Sequence, residues 1–272
     1  MKDVLASLGL SYTRQFFLHR PMVIFDFDGT LTALSPKRDE VQLKPLTRAL
    51  LSRLSQFLSV GVVSGRELSD LKSRFAGLDR VVLVGNHGAE SSAGNDSLYF
   101  EQVQKASLAV SAFLSALDRS SLIRDLPQSL IENKRLSLTF HWRGLDGMTT
   151  KKASEEIRQM ALAWGGFRLV PGIESLNLVP VGLDDKGDAV LRLLESAHHR
   201  HLVYLGDEET DEDVFVKARG ERFMGIRVGQ SAPSAAEWFV SEQSEVDRLL
   251  EVFLALVTGP AAAMPLMARS PA

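Results

Sequence analysis

A chain of 272 residues, 45% of them hydrophobic, can bury a sizeable core in one large domain or two smaller ones. Its 31 basic and 34 acidic residues leave a net charge of -3, so no general attraction to nucleic acid or to an anionic membrane is expected, and any phosphate must be held locally. Cysteine is absent, which removes disulfides, thiolate nucleophiles and cysteine metal sites together, fits a reducing compartment and leaves any metal to oxygen or histidine ligands.

The first twenty residues, MKDVLASLGLSYTRQFFLHR, carry Asp3 and Arg14, lack the apolar centre of a signal peptide and read as an amphipathic helix. No stretch is apolar enough to span a bilayer, and the chain reads as a cytoplasmic monomer. Four short apolar runs then end in small or acidic residues: MVIFDFDGT, VGVVSGR, RVVLVGNHG and HLVYLGDEETD. A continuous apolar run stopped by such a loop marks a strand buried on both faces, as in a parallel sheet. Helical patterns from Leu46 to Leu58 and from Asp188 to His198 supply crossovers, so the fold class is α/β, a doubly wound parallel sheet.

Between the third and fourth runs the style changes. After the polar turn SSAGNDS comes a helix-like segment, and RLSLTFHWR then alternates Leu136, Leu138, Phe140 and Trp142 with Ser137, Thr139 and His141. Alternation predicts a sheet with one wet face. A helix from Thr150 to Trp164 and a strand at SLNLVPV follow, so residues 93–178 form a smaller α+β insertion, with 1–92 and 179–258 as the main domain. The tail from 259 to 272, rich in Ala and Pro, is expected to be disordered.

Candidate chemistry gathers where the four runs end, since ligands of such sheets bind beyond the carboxyl ends of the strands. Asp26 and Asp28 point the same way by the period of two, unless the turn at Gly29 swings the second outward. Two carboxylates that close repel by about several kcal/mol unless a cation or proton intervenes. Without cysteine, a hard cation such as Mg²⁺ is the natural partner. Asp207 and Asp211 in GDEETD add carboxylates at the same edge, although acidic residues also suit a helix N-terminus. Ser64 offers a hydroxyl and Gly65 a backbone N–H to phosphate oxygens, while S-G-R alone is only a strand-to-helix turn. Lys186 in DDKG brings one ammonium, where a lone lysine is normally solvated surface.

DFDGTLT, VVSGR, DDKGDAV and GDEETDEDVF, in this order and spacing, resemble the four motifs of the haloacid dehalogenase superfamily of phosphohydrolases, and the insertion between the second and third resembles the C2 type of cap. VGNHGAE and IENKRLSLTFHWR are similar further to the trehalose-6-phosphate phosphatases, whose cap carries a Glu-x-Lys pair followed by a strand ending in His-x-Arg. Sucrose-phosphate and mannosyl-phosphoglycerate phosphatases share the core motifs.

The resemblance implies an Mg²⁺-dependent sugar-phosphate phosphatase that hydrolyses trehalose 6-phosphate through an aspartyl-phosphate. In it Asp26 is the nucleophile, Asp28 the proton donor and acceptor, and Ser64 and Lys186 the groups that bind the transferring phosphoryl. It implies Mg²⁺ on Asp26, the backbone carbonyl of Asp28 and Asp207, with Asp211 in direct or water-mediated support. Arg66 and His87 either touch substrate or brace a loop. Glu132 and Lys134 reach sugar or phosphate from the cap; His141 and Arg143 do so too or form the wet face of that sheet. The family carries a glutamate shortly before the proline of SLNLVP. Here Asn177 stands in its place, with Glu174 nearby, and relaxed sugar specificity is expected from the exchange. The competing readings are a phosphatase of another sugar phosphate, of the sucrose-phosphate or glucosyl- or mannosyl-glycerate phosphate type, then a phosphomutase and a catalytically silent module regulating a sugar synthase.

Overall fold

The computed structural model of the chain describes residues 1–35, 40–94, 97–119, 130–142, 144–172, 174–230 and 233–259. The chain divides into two compact units, Met1–Ala93 with the chain from Asp185 onward, and Gly94–Asp184. Arg143 and the tail beyond Gly259 lie outside the described residues.

The larger unit is built on strands β1 (Lys2–Asp3), β2 (Met22–Phe25), β3 (Val60–Val63), β4 (Val81–Gly85) and β5 (Glu90–Ser91) from the first part of the chain. The smaller unit contributes β6 (Ile131–Asn133), β7 (Leu138–His141), β8 (Phe167–Gly172) and β9 (Ser175–Pro180), and the larger unit resumes with β10 (Leu202–Gly206), β11 (Phe223–Val228) and β12 (Trp238–Val240). The helices are α1 (Ser7–Phe17), α2 (Pro45–Leu54), α3 (Leu68–Arg74), α4 (Ser97–Arg119), α5 (Gly147–Trp164), α6 (Lys186–Ser196), α7 (Glu212–Lys217) and α8 (Val246–Thr258).

The large sheet runs β1-β12-β11-β10-β2-β3-β4-β5, with every pairing parallel except the last. The four apolar runs are its adjacent central strands, β10, β2, β3 and β4. Alternation along β2 explains the layers: Val23 and Phe25 join the core that holds Leu50, Leu51 and Phe253 of α2 and α8, while Met22 and Ile24 join Val190, Leu193 and Phe215 of α6 and α7 on the opposite face. The order turns at β2, where the chain goes first toward β3 and later toward β10, and this switch point opens a crevice beyond Phe25.

Two short elements at the edges differ from the expected pattern. The N-terminus is not helical throughout: Lys2 and Asp3 pair with Trp238 and Phe239 before α1 begins at Ser7. An antiparallel β5 closes the other edge against β4.

The smaller unit is a four-stranded antiparallel sheet, β6-β7-β9-β8, with α4 and α5 against one face. Leu138, Phe140 and Trp142 pack there against Phe113 and Ile157, as the alternation predicts. The other face is wet only in part: Ser137 and Thr139 are fully buried, whereas Glu132, paired opposite Thr139, is exposed and His141 is half-buried. Small hydroxyls tolerate burial once hydrogen-bonded, and Thr139 Oγ1 donates to Asn177 Oδ1 at 2.7 Å. No helix among the described residues is long and apolar enough to cross a membrane.

Candidate active site

The crevice beyond β2 collects charge from three chain regions. Asp26 follows β2 directly, its amide donating to the Leu205 carbonyl of β10 at 2.8 Å, so its position is set by the sheet. Lys186 opens α6 behind a capping box: Asp185 accepts from the Asp188 amide at 3.0 Å, and Asp188 accepts from the Asp185 amide at 3.4 Å. Asp207 and Asp211 follow β10.

Lys186 is buried, not solvated. Its Nζ donates to Asp26 Oδ1 and to Asp211 Oδ1, each at 2.8 Å. Both Asp211 oxygens are engaged, since Tyr204 Oη also donates to Oδ1 at 2.7 Å and the Glu208 amide to Oδ2 at 2.8 Å. Asp207 accepts from Thr30 Oγ1 at 3.0 Å. Asp26 Oδ2 is buried with no hydrogen-bond partner.

Burial dominates the titration of this group. It holds the Asp26 carboxyl well above the usual carboxylate range, Lys186 pulling the other way and Asp211, Asp207 and Glu208 adding to the rise. Asp207 is pushed up to about 7 by burial and by the neighbouring Asp211 and Glu208. For Lys186 burial opposes the charge, but Asp211 and Asp26 overcome it and raise the ammonium well above its ordinary value.

The set fits a divalent cation. Asp26, Asp207 and Asp211 each bring a carboxylate oxygen within 4.8 Å of the others, more negative charge than one ammonium balances. Asp26 Oδ2 is buried without a donor, so hydrogen bonds leave part of the charge of this carboxylate cluster uncompensated, which a hard cation beside it would offset. Gly29, at φ 91°, brings the chain against Asp207, where a Cβ would overlap its carboxylate. Because both Asp211 oxygens already accept hydrogen bonds, its support to a metal is more naturally through water than direct.

Asp26 and Asp28 do not point the same way. The strand ends at Phe25, the chain folds into a tight turn with the Gly29 amide donating to the Thr32 carbonyl at 2.7 Å, and the Asp28 side chain leaves the acidic cluster. It accepts a fork from Arg66, Nε to Oδ2 at 2.6 Å and Nη2 to Oδ1 at 2.7 Å. Arg66 therefore braces Asp28 in this state.

Ser64 follows β3 directly, its Oγ accepting from the Arg66 amide at 3.2 Å. The His87 amide donates to the Ser64 carbonyl at 3.0 Å and the Asn86 amide to the Arg66 carbonyl at 2.7 Å, so the NHG turn clamps the SGR turn. The His87 ring lies where a Cβ on residue 65 would be, which explains glycine there and gives His87 a bracing role.

Within the smaller unit, Glu132 Oε2 meets His141 Nε2 at 2.9 Å and the buried Lys134 Nζ at 3.8 Å. Asn177 is buried, and its amide is used inside the sheet: Oδ1 accepts from Thr139, and Nδ2 donates to the Val170 carbonyl at 3.2 Å. That placement ties strands together and gives no support to the expected sugar contact. Glu174, at φ 51°, is exposed.

Three residues of the site escape sequence reasoning. Tyr204 and Thr30 hold Asp211 and Asp207. Arg227 donates to the Asp207 carbonyl, to the Glu208 carbonyl at 3.0 Å and to Glu212 Oε1 at 2.9 Å, fixing the backbone of the acidic loop. A lone arginine within the apolar run FMGIRV is the signal that points to it.

Comparison with known proteins identifies the family. The sequence model of the trehalose-phosphatase family matches residues 24–244. A probable trehalose-phosphate phosphatase C of Arabidopsis thaliana is 26% identical over a match covering 85% of this chain and 75% of its own. A trehalose-phosphate phosphatase of Mycobacterium tuberculosis (strain H37Rv) is 30% identical, covering 79% of this chain and 55% of its own, so the chain spans about half of that relative. Among solved structures, the C-terminal domain of a C. albicans trehalose-6-phosphate phosphatase has the same fold, with TM-score 0.71 and 20% identity over 95% of this chain and all of that one.

Proposed function

The chain belongs to the trehalose-phosphatase family, and from that premise we propose that it hydrolyses trehalose 6-phosphate to trehalose and inorganic phosphate through an aspartyl-phosphate on Asp26. One observation carries the assignment: Asp26 is buried at the end of the central strand with Oδ1 held by Lys186 and Oδ2 lacking any hydrogen bond. A carboxylate so placed has one oxygen fixed and one available to attack.

In the first step Asp26 Oδ2 forms a bond to phosphorus as the bond to the sugar oxygen breaks, and that oxygen takes a proton from Asp28. In the second, water attacks phosphorus, Asp28 takes the proton, and the Asp26–phosphorus bond breaks to release phosphate. Lys186 and the Ser64 hydroxyl stabilise the charge on the outer phosphoryl oxygens. We assign Mg²⁺ to Asp26, Asp207 and the Asp28 carbonyl, with Asp211 behind them. Bound there, it supplies charge that screens the phosphate dianion from the nucleophile.

Phosphate release measured over a panel of sugar phosphates, with and without Mg²⁺, tests the reading. Trehalose 6-phosphate should be the best substrate and EDTA should stop its turnover. A better rate on another sugar phosphate would move the assignment to that sugar, and no release from any would favour a regulatory module.

We further assign sugar recognition to Glu132 and Lys134. Substituting either by Ala should lower kcat/KM for trehalose 6-phosphate by about tenfold or more, with little change on p-nitrophenyl phosphate, which has no sugar to recognise. Equal losses on both substrates would make the pair structural.

A further inference from the structure

Asp28 is held by a chain of alternating charges that leads away from the crevice into α3. Arg66 lies almost wholly buried over the Phe27 ring, 5.4 Å from its centroid, with two donors on Asp28 and a third, Nη1, on Asp70 Oδ2 at 3.0 Å. Asp70 also accepts from Arg74, Nε to Oδ2 at 2.8 Å and Nη2 to Oδ1 at 2.8 Å. Arg74 donates in turn to the Val41 carbonyl, which anchors the far end in the core. The Arg66 backbone is fixed at both its amide and its carbonyl, so the remaining freedom lies in the side chain.

A guanidinium is planar and its donors form a rigid fork, so the carboxylate on Nη1 helps decide where Nε and Nη2 point. We infer that Asp70, which no motif singles out, is a positioning residue: it holds Arg66 so that the fork returns the Asp28 carboxylate to one defined starting place for each proton transfer. The inference rests on the reading of Asp28 as the proton carrier. While both Asp28 oxygens are on Arg66 the carboxyl cannot face the leaving oxygen, so each turnover must open the fork and restore it. Asp70 keeps the guanidinium in place while Asp28 is away. Burial raises the Asp70 carboxyl, but the bonds from Arg74 and Arg66 outweigh it and hold it below the ordinary value, so Asp70 is a carboxylate throughout the working pH range.

The consequence is selective. A misplaced proton carrier slows departure of a sugar alkoxide, which needs a proton, and spares p-nitrophenolate, which does not. For Asp70→Asn, kcat on trehalose 6-phosphate should fall by about tenfold or more, against about twofold or less on p-nitrophenyl phosphate, with KM little changed for either. The aryl phosphate rate serves as the control for folding. Should Asp70→Asn fail to fold, Arg66→Lys, which keeps the charge and loses the fork, should show the same split. Equal losses on the two substrates, or none on either, would overturn the inference. Wild-type protein inactive on both would instead overturn the proposed function beneath it.

Discussion

Asp26→Asn should fold like the wild type yet release phosphate from trehalose 6-phosphate about a thousandfold more slowly or worse, since a nucleophile is removed and no neighbour replaces it. The amide is close in size to the carboxylate, so the walls of the crevice are kept. Its oxygen still accepts from Lys186 Nζ, which retains Asp211 at 2.8 Å as an ionic partner. Metal-free stability near pH 8 should be at least that of the wild type. Burial holds the native Asp26 well above the carboxylate range, so keeping it ionised at that pH works against the folded state, and the amide removes this strain. Phosphate release measured beside a urea melt in EDTA checks both halves. Turnover within a few-fold of wild type would remove Asp26 from the chemistry.

Where the sequence spoke clearly, burial was the reason. Strands β2, β3, β4 and β10 are covered on both faces, which demands uninterrupted apolar side chains, and each stops where the chain reaches the crevice. Strand β11, equally central, carries Gly225 and Arg227 and loses that pattern; β8 is interrupted by Pro171; β1 and β5 have two residues each, too few for any period. The wet face predicted from Ser137, Thr139 and His141 holds only toward Glu132 and His141, because a hydroxyl bonded across strands, as at Thr139, is buried as readily as a methyl group.

The grouping of Asp26, Asp207 and Asp211 could be expected because three acidic positions at the ends of adjacent parallel strands must converge. The divergence of Asp28 could be expected only as an alternative, through the turn at Gly29. It depends on a turn at Gly29 and on Arg66, 38 residues farther along the chain. Likewise Asp70 and Tyr204 look ordinary in sequence, one an acid early in a helix and the other an aromatic in a strand. Only the fold brings them to Arg66 and Asp211.

Lys186→Met should be the most destabilising change in the crevice. Lys186 is buried and donates to two buried carboxylates, and a methionine fills a similar volume without charge. Removing one partner of a buried ionic group costs about 3–5 kcal/mol, because the charges left behind stay out of water without compensation. The cost should depend on pH in a defined direction. Asp207, pushed up to about 7, and Asp26, raised by burial, bind more protons in the folded state than in the unfolded chain between about pH 4 and pH 7. Unfolding free energy therefore falls as pH rises through that window. Without Lys186 the fall steepens, since no ammonium opposes the mutual repulsion of Asp26, Asp207 and Asp211. Metal-free Lys186→Met should lie close to wild type at pH 5 and far below it at pH 8, and Mg²⁺ at pH 8 should restore part of the difference by supplying positive charge to the same oxygens. Urea melts at the two pH values, in EDTA and in Mg²⁺, separate the causes. A deficit that is the same at both pH values would assign it to packing rather than charge, and no deficit at either would mean that Lys186 does not hold the carboxylates in solution.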